Sequence, residues 1–175
     1  MLADPPAALD ISIDELRFDP ENPRLAEKGF SNPSEADILR VLWTEMAVDE
    51  IALSIAKNGY QRYEPLFAEK HGNVYVIIEG NRRLAAVTLL RSAELQQQVG
   101  ATDLPALTTA EIKALDSLPV ILCRREDIWS YVGFKHVNGP QEWEPFSKAQ
   151  YIANVHNDFN VPLDEIAGKI GDKNF

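Results

Sequence analysis

A chain of 175 residues with 45% hydrophobic content can bury one compact core and carry a small appendage. Its 27 acidic side chains outnumber its 17 basic ones, and the formal charge of −10 argues against broad electrostatic gripping of nucleic-acid backbones by this stretch alone. No apolar run nears the roughly 20 residues needed to cross a bilayer, the N-terminus lacks the regions of a signal peptide, and a lone cysteine, Cys123, cannot form an internal disulfide or a cysteine metal cluster. The expected setting is a reducing cytoplasm, with no membrane partner.

Taken in chain order, "LDISIDELRFDPENPRL" reads as a short strand followed by a turn built from Asp19, Pro20, Asn22 and Pro23. "SNPSEADILRVLWTEMA" predicts a helix with Ser34 as N-cap and Asp37 as the capping-box acid. Its stripe of Ile38, Leu39, Leu42, Trp43 and Met46 belongs to a core. A second helix follows over "VDEIALSIAKNGY", with Val48, Ile51, Ala52, Ile55 and Ala56 on one face and Asn58-Gly59 as the stop. "EPLFAEKHGNVYVIIEG" reads as a hairpin turning near His71, Gly72 and Asn73. The next helix opens at Asn81 and runs on through "RRLAAVTLLRSAELQQQ". A linker, a short helix, the strand "LPVILCR" and the helix "EDIWSYVGFKHVNG", ended by Gly139-Pro140, come after it. Cys123 is expected as a packed strand cysteine.

From Trp143 the pattern changes to two amphipathic helices, "EPFSKAQYIANVHNDF" and "VPLDEIAGKIG", with Pro162 in the first turn of the second. A helix followed by "GDKNF" reads as a helix-turn-helix cut before its recognition helix, so the chain is expected to be part of a longer protein. Trp129, Trp143 and Phe146 are expected in packing. His71, His136 and His156 are expected at the surface or in packing rather than as metal ligands.

The feature with most chemical content is "EGNRRLAA", where an apolar strand turns into a helix. Gly80 permits a tight turn, and a helix N-terminus offers unpaired N–H groups with partial positive charge. Helix first turns favour acids, so the adjacent Arg82 and Arg83 run against the dipole. The residues leave two alternatives open: an anion site, or a solvated turn whose arginines pair with nearby acids. On either, the two arginines are expected to be exposed and to contribute little to stability.

"DEIALSIAKNGYQRYEPLFAEKHGNVYVIIEGNRRLAAVTLL" resembles the N-terminal domain of ParB-like proteins, the ParB/sulfiredoxin fold. The matching elements are Ser54-Ile55, Gly59, Pro65 and the box Gly80-Asn81-Arg82-Arg83. "ENPR" at residues 21–24 is similar to the family's earlier Asn-Pro…Arg segment, and the two C-terminal helices are similar to the start of its helix-turn-helix. The resemblance implies an α+β fold with a small mixed sheet packed by helices. It implies a nucleotide-binding domain over residues 1–140 and a truncated helix-turn-helix over 141–175. It also implies phosphate contacts from Gly80, Asn81, Arg82 and Arg83, with Arg24 as a further candidate. The implied cofactor is a nucleoside triphosphate, CTP favoured over ATP, together with Mg²⁺; the implied partners are DNA, reached through the missing C-terminal part, and a second copy in a homodimer.

Departures from the family pattern are local. Ala85 stands where a third arginine is common, and His136 and Asn138 only loosely replace a later Glu-Asn motif that contributes to triphosphate and metal binding. Residues 31–47 look like an insertion. Asn81 stands where sulfiredoxin carries its cysteine, so peroxiredoxin repair lacks its nucleophile. Three functions compete: a nucleotide-responsive, DNA-associated regulator; a metal-dependent nuclease or NTPase of a bacterial defence or plasmid system, with Glu79 as its catalytic candidate; and an adaptor that keeps the fold without the ligand.

Overall fold

Short runs rich in apolar residues form five strands in one sheet. In the computed structural model, which describes residues 6–30, 32–137 and 142–172, these are β1 (Leu9–Ser12), β2 (Leu16–Phe18), β3 (Leu66–His71), β4 (Val74–Glu79) and β5 (Ser117–Leu122). Their order is β1-β5-β3-β4-β2. The β3–β4 hairpin is antiparallel, as the sequence predicts, with Gly72 at φ +61° in its turn. β5 lies parallel to β3, β1 antiparallel to β5, and β2 parallel to β4.

The sequence predicts one strand before Asp19, whereas there are two, on opposite edges of the sheet. A 3₁₀ turn over Ile13–Glu15 is all that joins them. Four strand spacings in a flat sheet span about 19 Å, but the four steps from Ser12 to Leu16 reach about 14 Å at most. The sheet must therefore curl until its edges approach, which no local pattern announces.

The helices are α1 (Glu35–Glu45), α2 (Val48–Asn58), α3 (Asn81–Arg91), α4 (Ala93–Val99), α5 (Thr109–Ala114), α6 (Arg125–Val137), α7 (Pro145–Phe159) and α8 (Leu163–Ile170). The combination of helices and mixed sheet is the expected α+β class. α1 carries the predicted capping box, in which Ser34 and Asp37 satisfy each other's backbone N–H groups. Within the segment read as an insertion, α1 packs into the first unit: Ile38, Leu39 and Leu42 are buried, and α1 lies on α3.

The long helix predicted from Asn81 is two helices. Ser92 adopts extended backbone and caps α4 by accepting from the Leu95 N–H (3.2 Å), while Gln96 Nε2 donates to the Leu89 carbonyl at the end of α3 (2.8 Å). α3 is buried nearly all round, through Leu84, Ala85, Ala86, Val87, Leu89 and Leu90, as a central helix is. Cys123 lies just past β5 and is half-buried, so it is not within the strand as expected.

The chain divides into two compact units. The first comprises the chain to Asp19 and Pro33–Leu122; the second comprises Pro20–Asn32 and the chain from Cys123. In the second, α6, α7 and α8 pack together and the 3₁₀ helix Pro23–Lys28 lies on α7. Gly133 of α6 is required by close packing, since a Cβ there would stand 2.6 Å from Ile170 Cγ2. Trp129 and Trp143 are buried as expected, and Tyr151 donates its hydroxyl proton to the Trp129 carbonyl (2.6 Å). Phe146, expected in packing, is instead exposed, on the outer face of α7.

Candidate functional site

The strand-to-helix turn has the backbone that the sequence predicts. β4 ends at Glu79, Gly80 turns in the left-handed region at φ +103°, and α3 begins at Asn81. Glycine is needed twice over: other residues avoid this φ, and a Cβ would lie 2.4 Å from Leu66 Cδ2. No side chain caps this end of α3 and no acid occupies its first turn. The first amides of the helix therefore have neither an intrahelical acceptor nor a capping oxygen.

Side chains around the turn are engaged with the protein itself. Asn81 is buried; its Oδ1 accepts from the Asp19 N–H (3.1 Å) and its Nδ2 donates to the Ile77 carbonyl (2.7 Å). This clasp ties the end of β2 to β4 and leaves Asn81 its backbone N–H for any ligand. Arg82, half-buried, donates through Nε to the Met46 carbonyl and through Nη2 to the Ala47 carbonyl (3.0 Å). These carbonyls form the α1–α2 junction, where Ala47 sits at φ +46°, a conformation costly for a residue with a Cβ.

Arg83, with its side chain 14% exposed, donates through Nη1 to the carbonyls of Glu64 and Pro65 (3.3 Å to the latter). It also stands 3.7 Å from both the Glu64 and Glu79 carboxylates. The expectation that these arginines are exposed is thus corrected: α3 is apolar beyond its first turn, and the flanking loops fold over the two guanidinium groups.

The electrostatics of the turn are mixed. Burial pulls the Arg82 guanidinium below its ordinary pKa, opposed by Glu50, Glu79 and Asp49. Burial also pushes the Tyr60 hydroxyl up, with Arg83 pulling the other way. Two cations therefore face four carboxylates: Glu50, Asp49, Glu64 and Glu79. Glu79, the catalytic candidate, is itself buried beside Arg83.

The remaining candidates belong to the second unit. Arg24 sits in the 3₁₀ helix capped by Asn22. His136 stacks on Trp143 (centroids 4.7 Å apart, planes 18° apart) and accepts from the Trp143 N–H through its carbonyl. Asn138 lies outside the described residues, as does the predicted Gly139-Pro140 helix stop. Arg124 forms a two-pronged pair with Asp127 (2.9 and 2.8 Å), and Arg125 stands 3.5 Å from Glu21. His71 pairs with Glu69 (3.0 Å) in the exposed hairpin, and His156 contacts the Val161 carbonyl (2.8 Å). Among the described residues, no three His, Cys, Asp or Glu side chains converge to hold a metal ion, and no helix is long and apolar enough to cross a membrane.

No family model matches the chain, and no curated protein matches it in sequence. Among solved structures it is similar to the C-terminally truncated chromosome-partitioning protein ParB from Caulobacter crescentus complexed with CTP-gamma-S. That similarity is 16% identity over 94% of this chain and 71% of that one, with a TM-score of 0.37. A likeness this loose does not locate a site in this chain.

Two features escaped sequence reasoning. One is a cleft of about 390 Å³ in the first unit, floored by Ile13, Leu16, Phe18, Leu84 and Leu95 and edged by Arg17, Glu35 and Arg91. It is assembled from three separate stretches of the chain, so no motif marks it. The other is the loop between Gly59 and Pro65, whose only sequence signal was its density of Tyr and Arg.

Proposed function

We propose that this chain is a ParB-like, DNA-associated protein whose Gly80–Arg83 turn holds the phosphates of a nucleoside triphosphate, CTP favoured. The observation that carries the reading is the turn itself. An uncapped helix N-terminus follows a left-handed glycine, with no first-turn acid and two arginines in its place. The order of Ser54-Ile55, Gly59, Pro65 and the box along the chain supports it, as does the helical second unit in which α7 and α8 stand for the start of a helix-turn-helix. The four neighbouring carboxylates oppose a bare polyphosphate, so on this reading the triphosphate arrives with Mg²⁺, which offsets them.

A second reading has its own observation. The guanidinium groups of Arg82 and Arg83 already donate to four backbone carbonyls, as they would in an adaptor whose arginines only brace two loops. For the nuclease alternative, no three His, Cys, Asp or Glu side chains among the described residues converge to hold a metal ion.

Isothermal titration with CTP, ATP and GTP, with and without Mg²⁺, separates these. Binding that falls roughly tenfold to a hundredfold in Arg82→Ala or Arg83→Ala supports the first reading. An absence of binding heat for every nucleotide overturns it. Metal-dependent plasmid nicking by a chain that binds no nucleotide would favour the nuclease.

A further inference from the structure

Tyr63 is 96% exposed, the most exposed large hydrophobic side chain among the described residues. Isolated exposed aromatics are ordinary on mobile loops, but this one stands on a fastened loop. The Tyr60 hydroxyl donates to the Glu64 carbonyl (3.2 Å), and the Glu64 N–H donates to the Gln61 carbonyl (3.1 Å). Arg62 reaches Asp10 of β1 (2.5 Å). Arg83 then holds the carbonyls of Glu64 and Pro65. The residues on both sides of Tyr63 are tied down while its ring stands in water, so little ordering entropy remains to be lost when a flat partner covers it.

The tie to Arg83 gives the ring its context. One prong of the guanidinium, Nη1, holds the carbonyl of Glu64, the residue after Tyr63, and the same side chain stands in the first turn of α3 beside Gly80. A phosphate drawn to that turn and a ring carried one residue from Arg83's acceptor thus share one guanidinium as a neighbour. A nucleobase sits one sugar away from its phosphates, beside the phosphate site and not within it.

Resting on the phosphate reading of the Gly80–Arg83 turn, we propose that Tyr63 is the stacking residue for the nucleobase of the bound nucleotide. It supplies a face for the ring, while the turn supplies donors for the phosphates. A ring face tolerates every base, so Tyr63 contributes affinity for nucleosides as a class, and discrimination among bases must come from groups around it.

The test compares CTP and ATP with inorganic tripolyphosphate, which has no base, each with Mg²⁺, by isothermal titration against wild type, Tyr63→Ala and Tyr63→Phe. Tyr63→Ala is expected to weaken both nucleotides roughly fivefold to a hundredfold and to leave tripolyphosphate unchanged. Tyr63→Phe, which keeps the ring, is expected to match wild type. Equal loss for nucleotide and tripolyphosphate, or loss for neither, overturns the stacking role while leaving the phosphate site standing. If wild type binds neither ligand class, the phosphate reading fails and the Tyr63 proposal fails with it. A ring this exposed has no packing to lose, so Tyr63→Ala should fold and melt like wild type.

Discussion

Replacing Arg82 with alanine tests whether the turn is a free anion site or a brace. A solvated first-turn arginine has little to lose, and on that view the variant would melt like wild type. In the structure Arg82 instead donates to the carbonyls of Met46 and Ala47, from a half-buried position. A hydrogen bond from a charged donor contributes about 1.5–3 kcal/mol. Both carbonyls regain water when the guanidinium is removed, and Ala47 can then leave its left-handed conformation, which recovers part of about 1–2 kcal/mol of strain. The net loss should be about 1.5–3 kcal/mol. For a chain of this size each kcal/mol lowers the melting midpoint by about 2–4 °C, so calorimetry should show a fall of about 3–12 °C. Arg82→Lys should recover less than half of it, because one ammonium cannot span two carbonyls as the guanidinium fork does. A variant within about 0.5 kcal/mol of wild type by urea titration would refute the brace. A large loss of nucleotide affinity measured well below the melting range would show that one side chain serves both purposes.

Three further outcomes follow from the same geometry. Gly80→Ala should cost about 2–5 kcal/mol by urea unfolding, combining the unfavourable φ with a Cβ 2.4 Å from Leu66; near-wild-type stability would mean the turn is not held as described. Ala47→Gly should be stabilising by about 0.5–1 kcal/mol, since relief of the left-handed strain exceeds the added chain entropy; a loss above 1 kcal/mol would contradict this. Glu35, whose carboxylate accepts from the Phe18 N–H, is pushed up in pKa chiefly by burial. A raised folded pKa contributes stability that is present below the unfolded value near 4.5 and lost as pH rises through the folded value. Glu35→Gln should therefore gain on wild type at neutral pH, with the gain shrinking as pH falls into the carboxylate range; a gain that does not depend on pH would refute the assignment.

What the sequence determined was local. Ser34 and Asp37 announce the start of α1 because a capping box closes within four residues. Asn58-Gly59 ends α2, and Gly72-Asn73 turns the hairpin, for equally short-range reasons. Gly80 marks the strand-to-helix turn because a backbone at positive φ excludes nearly every other residue. These elements carry their own chemistry, so they can be read before any packing is known.

Tertiary structure decided the rest. That β1 and β2 flank one 3₁₀ turn yet occupy opposite sheet edges depends on the curl of the sheet, which arises from pairing with strands some 60 to 110 residues away. The break at Ser92 depends on α3 being enclosed while α4 is not. The partners of Arg82 and Arg83 are backbone carbonyls at positions 46, 47, 64 and 65. Every residue has a carbonyl, so nothing in the residue types there could announce them. The sequence placed two arginines at the mouth of a helix; only the fold brought two loops within reach, and with them the choice between a brace and a phosphate site.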